Sequence, residues 1–578
     1  MTLLGNMIQE PLLLPRLLDH AARQHSRVQI VSQRTEGDIH RYTWLDCQRR
    51  SKQLAQALRA HAVQRGDRVA TLAWNGYRHL ELYYGIAGMG AVCHTINPRL
   101  FIEQIVFIIN HADDQYVFFD RTFASLIAQI APKCPKVRGW VALCEEADLV
   151  AVVAQANRGS QTHAVSPDAS SCGTPASASG TRTSAVPDAA VPAWESYEAW
   201  MQPFDGVCDW ADMGEEEAAF LCYTSGTTGN PKGVLYSHRS LFLQAYACAL
   251  PDSFNCASRD VIAPVVPMFH VNAWAIPFTA AMVGAKLVLP GAKLDGASLH
   301  ALFEAESVSL SAGVPTVWLG YMDHMQAAKL DHTSLQRVII GGSACPAKLF
   351  ERLNAVGVQV IHAWGMTELS PVGTVLCPQD HDAQAQAQGS GPKQGHTLPG
   401  IDLKIVGADG AELPWDGVRT GDLMARGNWV VERYFGDTQS ALRDGWLPTG
   451  DVASIDATGC VQITDRSKDV IKSGGEWISS IDLENIALKH PAVRMAACVA
   501  AHHPKWDERP LLVIVLHPDQ QASAAEILST FVGQVPKWWM PDDVVFVDEL
   551  PLTATGKLQK MVLRKQFADH VWPEHNNT

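Results

Sequence analysis

The sequence predicts an α/β protein with a large N-terminal domain built on more than one sheet and a smaller α+β domain at the C-terminus. Three observations lead to this prediction. At 578 residues the chain is too long for one hydrophobic core. Short apolar stretches alternate with longer amphipathic ones, which is typical of mainly parallel sheets covered by helices. A charged cluster at 465–469 interrupts the alternation, as a linker between two folded domains does.

The first 150 residues show the alternation most clearly. Apolar periodicity predicts helices at 51–62 and 80–89, and continuous apolar runs predict buried strands at 67–73 and 115–120. From 215 to about 460 we expect helices and strands to alternate again. After the charged cluster, Ser479 and Ser480 can cap a helix that has Asp482 and Glu484 in its first turn.

One segment departs from this pattern. Residues 158–193 consist mostly of Ser, Ala, Thr, Gly and Pro, with few large apolar side chains. Such a composition cannot bury enough surface to offset the entropy lost on ordering. We therefore predict a disordered surface insertion within the N-terminal domain.

Composition and charge exclude several classes of protein. A formal net charge of −14 argues against nucleic acid as the main partner. Thirteen cysteines are scattered without CxxC pairs or metal-ligand spacing, which indicates reduced thiols in a cytoplasmic protein. No apolar run approaches the length that spans a bilayer, and the N-terminus lacks the basic region of a secretory signal.

The N-terminal segment carries a cluster of leucines at helical spacing. The cluster comprises Leu12, Leu13, Leu14, Leu17 and Leu18. We expect this face to pack on the protein itself, with peripheral membrane contact as the alternative. The sequence leaves a homodimer open.

A loop rich in glycine and hydroxyl groups follows the apolar run at 218–222. It comprises Tyr223, Thr224, Ser225, Gly226, Thr227, Thr228, Gly229, Asn230, Pro231, Lys232 and Gly233. Glycines let backbone N–H groups approach an anion closely, hydroxyls add donors and Lys232 adds a positive charge. Because Lys232 is followed by Gly233, the loop is not a Walker A element. We predict a polyphosphate-binding loop, and the alternative is a plain surface turn.

Six further stretches carry polar or glycine-rich patterns. They lie at 267–274, 338–344, 362–368, 446–451, 471–477 and 551–557. The stretch at 362–368 is specific, whereas others are weaker by themselves: His270 could be a core residue, Gly342 could sit in an ordinary turn, and Lys557 could be a solvated lysine. Their order along the chain is more specific than any one of them.

Taken together, these motifs resemble the adenylate-forming superfamily of acyl-CoA synthetases, adenylation domains and luciferases, over nearly the whole chain. The resemblance implies an N-terminal ATP- and acyl-binding domain at 1–464, a hinge at 465–469 and a mobile C-terminal domain at 470–578. It implies that a fatty acid is activated by ATP to an acyl-adenylate and passed to coenzyme A. The implied cofactors are Mg²⁺, ATP and coenzyme A, and the partners are small molecules.

The resemblance assigns the nucleotide to residues spread over both domains. These are Thr224, Ser225, Gly226, Thr227, Thr228, Gly229, Lys232, Gly342, His362, Ala363, Trp364, Asp451, Arg466, Lys468, Lys472 and Trp477. Trp364 replaces the more common tyrosine and preserves stacking on adenine. Asp451 matches the ribose-binding carboxylate, and Lys468 matches the hinge about which the small domain turns.

Four residues match catalytic positions of the family: Lys557, Glu368, Thr367 and His270. Lys557 is implied to hold the carboxylate and the α-phosphate oxygens during adenylation. Thr367 is implied to bond the α-phosphate. Glu368 is implied to coordinate Mg²⁺, with Thr224 as the second metal residue, since a hard cation prefers oxygen ligands.

The implied acyl-binding residues are Val271, Trp274 and Gly341. Amino-acid-activating members usually carry an aspartate in the stretch at 267–274, but here Val271 follows His270 and no acid is present. A buried ammonium without a counter-charge would be costly, so we expect an uncharged acyl chain. In related fatty-acyl-CoA synthetases, the position of Trp274 lies at the mouth of the acyl tunnel.

The resemblance is closest to bacterial medium- and long-chain fatty-acyl-CoA synthetases. A relative that acts on methylthio-alkanoates or another short acid shares the motifs and is the nearest alternative. An acyl-AMP ligase feeding a carrier protein, a luciferase-type monooxygenase and a non-catalytic lipid-binding protein are the others.

Overall fold

The computed structural model of the protein describes residues 3, 5–161, 193–224, 230–331, 333–376, 392–473, 476–553 and 557–573. In chain order the α-helices are α1 (Leu14–Gln24), α2 (Trp44–Ala60), α3 (Tyr77–Gly88), α4 (Ile102–Ala112), α5 (Ala124–Ile130), α6 (Leu149–Gln161), α7 (Tyr197–Met201), α8 (His238–Ala249), α9 (Ile276–Val283), α10 (Gly296–Glu306), α11 (Pro315–Ala327), α12 (Ala347–Ala355), α13 (Ser480–Ala487), α14 (Ala524–Ser529) and α15 (Lys560–Gln566). Short 3₁₀ segments lie at Arg121–Phe123, Ala131–Lys133, Glu146–Asp148, Thr367–Leu369 and Lys537–Trp539.

The strands fall into four sheets. The first thirteen are β1 (Gln29–Gln33), β2 (Ile39–Thr43), β3 (Arg68–Leu72), β4 (Val92–Thr95), β5 (Asp114–Asp120), β6 (Gly139–Leu143), β7 (Trp194–Ser196), β8 (Ala218–Tyr223), β9 (Gly233–Ser237), β10 (Val261–Pro264), β11 (Lys286–Leu289), β12 (Leu310–Gly313) and β13 (Arg337–Ile340). The remaining strands are β14 (Gln359–Gly365), β15 (Val372–Leu376), β16 (His396–Thr397), β17 (Ile401–Val406), β18 (Gly421–Gly427), β19 (Leu447–Ile455), β20 (Val461–Arg466), β21 (Ile471–Ser473), β22 (Glu476–Ile478), β23 (Val493–His503), β24 (Asp507–Leu516) and β25 (Asp543–Phe546).

Two large, mainly parallel sheets form the N-terminal part of the chain. One has seven strands in the order β7-β6-β5-β3-β4-β8-β9, and only its β8–β9 pair is antiparallel. The other has nine strands in the order β16-β15-β14-β13-β12-β10-β11-β1-β2, with antiparallel pairs at both edges. The predicted α/β class with several sheets is confirmed.

Helix α3 lies inside the main core. All twelve of its residues are buried, and it contacts β3, β4 and β8 of one sheet and β1 of the other. The helix is covered on every side because it packs between the two sheets, and its buried Arg78 and Glu81 are paired with Glu198 and Arg50. The helix therefore joins the two sheets into one domain. The predicted strands at 67–73 and 115–120 are β3 and β5, and the predicted helices are parts of α2 and α3.

A third sheet was not predicted as a separate unit. Strands β17, β18, β19 and β20 form a four-stranded antiparallel sheet from Ile401 to Arg466. The expected alternation of helix and strand up to about 460 is therefore wrong for this region. Its strands alternate buried and exposed residues, as in Ile401–Val406, which is typical of a sheet with one solvated face.

The C-terminal part has its own sheet and core. Strands β22, β21, β24 and β23 are joined by β25 in a five-stranded sheet, and α13 and α15 pack on β23. The side-chain oxygen of Ser479 accepts a hydrogen bond from the backbone N–H of Asp482, so the predicted helix cap is confirmed. The change from one sheet to the next falls between Arg466 and Ile471, within and beside the predicted hinge.

The structure bears on two expectations, the bounds of the insertion and the packing of the N-terminal leucines. Helix α6 continues to Gln161, so the predicted insertion at 158–193 begins too early; residues 162–192 lie outside the described residues. The leucine face at the N-terminus packs on the protein, because Leu14, Leu17 and Leu18 of α1 are buried. That face is not available to a membrane. In the part of the chain that the structure describes, no helix is long and apolar enough to cross one.

Candidate active site

A cavity of about 520 Å³ opens where the carboxyl ends of the parallel strands meet the C-terminal part of the chain. Thr224 follows β8, and Lys232 precedes β9. The stretch from Pro267 to Trp274 follows β10, and Gly341 and Gly342 follow β13. Ligands of open α/β sheets bind at this edge, because the loops after neighbouring strands converge there.

The C-terminal part of the chain contributes a lysine, Lys557, to the lining of the cavity. Lys557 is half-buried and lines the cavity, and its backbone N–H donates to Thr553 Oγ1 at 2.9 Å. A β-carbon built on Gly342 would lie 3.2 Å from Lys557 Cε, and Gly342 has a φ of +83°. Both the backbone conformation and the close approach favour glycine there. The small domain thus stands in the pose that delivers Lys557 to the site.

The charge of Lys557 depends on its surroundings. Burial and the nearby Arg466 guanidinium lower the pKa of Lys557 to about 8, and Asp451 and Glu368 oppose the shift. Burial disfavours the charged ammonium because the cavity offers less solvation than water. Below this pKa the group is a cation, and above it the group is neutral.

This pKa predicts a pH dependence for the first half-reaction. Measured as pyrophosphate release without coenzyme A, kcat/KM for ATP should fall as pH rises through about 8, because the ammonium is lost. In Lys557→Arg the guanidinium stays charged, so the same descending limb should move to higher pH. A profile that descends at the same pH in both enzymes would assign the titration to another group.

Glu368 and Thr367 line the cavity and are held by two tyrosines. The Tyr434 hydroxyl donates to Glu368 Oε1 at 2.9 Å, and the Tyr236 hydroxyl donates to the Thr367 carbonyl at 2.7 Å. The Lys232 ammonium lies 4.5 Å from the centre of the Tyr434 ring. These contacts hold Glu368 and the backbone of Thr367 on one wall of the cavity. They also place Lys232 of the phosphate loop beside the same wall.

Glu368 and Thr224 both line the cavity with oxygen donors that suit Mg²⁺. Within the described residues, no cluster of three His, Cys, Asp or Glu side chains could hold a metal alone. A site of this kind leaves most ligand positions to substrate phosphates and water, which is common for Mg²⁺. The donor set therefore fits the predicted metal.

Trp364 and Asp451 form a hydrogen-bonded pair. The indole N–H donates to Asp451 Oδ2 at 2.9 Å, and Arg466 Nε lies 3.4 Å from Asp451 Oδ1. Burial raises the pKa of Asp451, and Arg466 opposes that effect. The tryptophan thus orients the carboxylate as well as offering a face for stacking. A second cavity of about 270 Å³ adjoins this pair, and His362 and Asp451 line it.

The acyl side of the cavity is built on an unusual turn. From Val271 to Ala275 five successive residues have φ between 39° and 61°, a left-handed turn without glycine. Such a conformation costs free energy at each residue and persists only where packing holds it. It sets Trp274 against Gly341, where a built β-carbon would lie 3.2 Å from Trp274 Cη2.

His270 stands at the base of this turn and lines the cavity. Burial, together with the charge of Lys557, lowers the pKa of His270 to about 3, so the imidazole is neutral. Of the described residues that line the 520 Å³ cavity, only Glu368 carries a carboxylate. The expectation of an uncharged acyl chain stays a prediction.

The structure brings most predicted site residues together. Lining the main cavity are Thr224, Lys232, His270, Val271, Trp274, Gly341, Gly342, Ala363, Trp364, Thr367, Glu368, Arg466, Lys468 and Lys557. Lys472 is not among them: it is exposed on β21, and its backbone N–H donates to Glu508 at 2.7 Å. Its expected place near the nucleotide stays a prediction. Residues 225–229 and the side chain of Trp477 lie outside the described part of the chain.

Several lining residues were missed by the sequence analysis. These are Leu558 and, inside motifs where they were not singled out, Asn230, Met366 and Thr553. Tyr434, which donates to Glu368, was also missed; it sits in no periodic pattern, so nothing local marks it. Thr553 lies in the motif at 551–557 and Leu558 directly follows that motif, so their place near Lys557 could have signalled them.

Comparison with known proteins identifies two matching family models. The model described as AMP-binding enzyme matches residues 17–435, and the AMP-binding enzyme C-terminal domain matches 482–557. The chain is 47% identical over 572 residues to a medium-chain-fatty-acid–CoA ligase of Ectopseudomonas oleovorans, covering 98% of each protein. It is 45% identical to a 3-methylmercaptopropionyl-CoA ligase of Ruegeria lacuscaerulensis, covering 98% of this chain and 99% of that protein.

A solved structure shares the fold across both domains. The anthranilate CoA ligase AuaEII in complex with anthranoyl-AMP superposes with a TM-score of 0.80 at 22% identity, covering 97% of this chain and 98% of that one. A long-chain-fatty-acid–CoA ligase of Thermus thermophilus is 39% identical to this chain, covering 98% of this chain and 97% of that protein.

Proposed function

This chain belongs to the AMP-binding enzyme family and is an acyl-CoA ligase, and from that premise we propose that it activates a fatty acid with ATP and passes the acyl group to coenzyme A. The observation that carries the proposal is the character of the acyl side of the cavity. Val271 and Trp274 offer apolar surface, and His270 beside them is neutral.

In the first half-reaction the acid carboxylate attacks the α-phosphate of ATP, and pyrophosphate leaves. Lys557 would hold the carboxylate and α-phosphate oxygens while charge redistributes between them. Thr367 would donate its hydroxyl to the α-phosphate. Glu368 and Thr224 would hold Mg²⁺, which would neutralise phosphate charge.

In the second half-reaction the thiol of coenzyme A attacks the acyl carbonyl, the thioester forms and AMP leaves. In the pose described here Lys557 lines the catalytic cavity. The thiol must therefore reach the acyl-adenylate after the small domain has moved. We infer a rotation about Lys468 that withdraws Lys557 and brings the 471–477 hairpin toward the nucleotide. The exposed Lys472 of this pose agrees with such a change.

A series of saturated straight-chain acids tests the substrate class. Thioester formation with ATP and coenzyme A, followed by mass spectrometry, should give kcat/KM rising by up to about fourfold per added methylene until the cavity is full, since each buried methylene contributes about 0.8 kcal/mol. The methylthio acid 3-methylmercaptopropionate belongs in the same series, because a 45% identical relative carries that name. If that acid exceeds every straight-chain acid, or if amino acids are accepted equally, the fatty-acid assignment is wrong.

A further inference from the structure

A third cavity, of about 310 Å³, lies between the two domains and apart from the catalytic one. Helices α11 and α12 of the N-terminal part form one side. Leu488, the start of β23, His517 and Leu552 of the C-terminal part form the other. None of its lining residues lines the 520 Å³ cavity, but half of them, Arg494 and Met495 included, also line the second cavity, so these two cavities are continuous.

Positive charge dominates this interdomain cavity. Lys348, Arg352, Arg494 and His517 line it, and Asp323 is the one carboxylate among its described lining residues. Asp323 already pairs with Arg352 at 2.9 Å. Burial lowers the pKa of His517, as do the charges of Lys348, Arg494 and Arg352. These three cations therefore lie near the same imidazole. With His517 neutral, three positive side chains stand against one carboxylate, and two positive charges remain once Arg352 is paired with Asp323.

Arg494 brings a cation to the side of the cavity formed by the C-terminal part. Its Nε atom is closed to solvent, so an anion in the cavity would be bound by the remaining nitrogens of the guanidinium group.

The remaining walls are apolar. They are formed by Leu319, Leu349, Leu488, Val493, Met495 and Leu552. A volume of about 310 Å³ is at the lower end of the roughly 300–1,000 Å³ typical of small-molecule sites. The cavity therefore suits a compact molecule with a doubly charged head and a small apolar body.

We propose that the interdomain cavity binds a small organic phosphate, and that this ligand holds the small domain in the pose that places Lys557 in the catalytic site. The second part rests on the proposed function, because it assumes that the domain rotates between half-reactions. Both domains supply walls, so rotation about Lys468 would separate them and destroy the site. A ligand that binds one pose only must favour that pose. Leu552 also begins the loop that carries Lys557.

Calorimetric titration of the full chain tests the site directly. Phenyl phosphate and inorganic phosphate are the probes, and a saturating acylsulfamoyl adenosine fills the catalytic cavity so that neither probe binds there. We expect saturable binding of one equivalent of phenyl phosphate, at least tenfold tighter than inorganic phosphate. Equal affinity for the two probes would overturn the organic part of the proposal, and no saturable binding would overturn the site.

Substitutions in the interdomain cavity test whether phenyl phosphate binds there. Arg494→Gln and, on the exposed side of α12, Lys348→Gln should each raise the Kd for phenyl phosphate at least tenfold. Lys565→Gln, an exposed lysine at the end of α15, is the matched control and should leave the Kd unchanged. Unchanged binding in both cavity variants would place the probe elsewhere and contradict the proposal.

Half-reaction assays test the effect on the pose. Phenyl phosphate should speed pyrophosphate release from acid and ATP and slow thioester formation from preformed adenylate, and Arg494→Gln should remove both effects. Binding without either effect would overturn the pose-holding role. Binding in calorimetry with no ligase activity toward any acid would instead contradict the proposed function and leave the site standing.

Discussion

Replacing Lys557 with alanine is expected to slow acyl-adenylate formation by on the order of a hundredfold or more, because one charge that stabilises the transition state is lost. The cation reaches the cavity next to Gly342, where burial strengthens its interaction with developing charge on the phosphate. The measurement is pyrophosphate release from acid and ATP. The control Lys565→Ala removes an exposed lysine from α15, the helix that follows Lys557 in the chain, and should have no effect.

Thioester formation from synthetic acyl-adenylate and coenzyme A should be nearly normal in Lys557→Ala. In the proposed mechanism, the second half-reaction uses a pose in which this lysine has left the site. Lys468→Pro should behave differently, since proline fixes φ and restricts the residue before it. It should spare the half-reaction whose pose it traps and slow the other. Equal loss of both half-reactions in Lys557→Ala would contradict the rotating-domain account.

Replacing Glu368 with glutamine is expected to weaken the Mg²⁺ requirement and to reduce adenylation by on the order of a hundredfold. An amide keeps the size of the side chain but removes the charge that a hard cation prefers. Loss of groups that only orient metal ligands already costs about 10- to 100-fold, so a direct ligand should cost at least as much. The measurement is a Mg²⁺ titration of pyrophosphate release.

Two further variants make this result specific. Tyr434→Phe removes the 2.9 Å hydrogen bond to Glu368 but keeps its charge, so it should cause a smaller loss than Glu368→Gln. Glu351→Gln alters an exposed glutamate of α12 and should change nothing. An unaltered Mg²⁺ titration in Glu368→Gln would exclude this residue as a ligand.

Much of the site could be predicted from the sequence because its motifs are local. Glycines and hydroxyls before Lys232 mark a phosphate loop wherever the chain runs, and an apolar run before each motif marks a strand. The loops after β10 and β13 leave the same edge of the nine-stranded sheet, so they had to converge, whereas the phosphate loop after β8 belongs to the other sheet and meets them only because the two sheets pack together. The absence of an acid beside His270 already indicated an uncharged acyl chain.

The rest depended on how distant segments meet in space. The hydrogen bonds from Trp364 to Asp451 and from Tyr434 to Glu368 join residues 87 and 66 positions apart, and no periodicity encodes such pairs. The left-handed turn that carries Trp274 contradicts the local preference of its residues and exists through packing.

What the sequence by itself determined, then, is the chemistry: a phosphate loop, oxygen ligands for a hard cation, a mobile lysine and an uncharged acyl wall. The tertiary structure alone decided which of these lysines lies at the site, with Lys557 inside the cavity and Lys472 outside it, and we relate that arrangement to the proposed first half-reaction. The physical reason is that one sequence must serve both poses. Its local preferences are the same in each, and only the packing of the small domain against the large one distinguishes them.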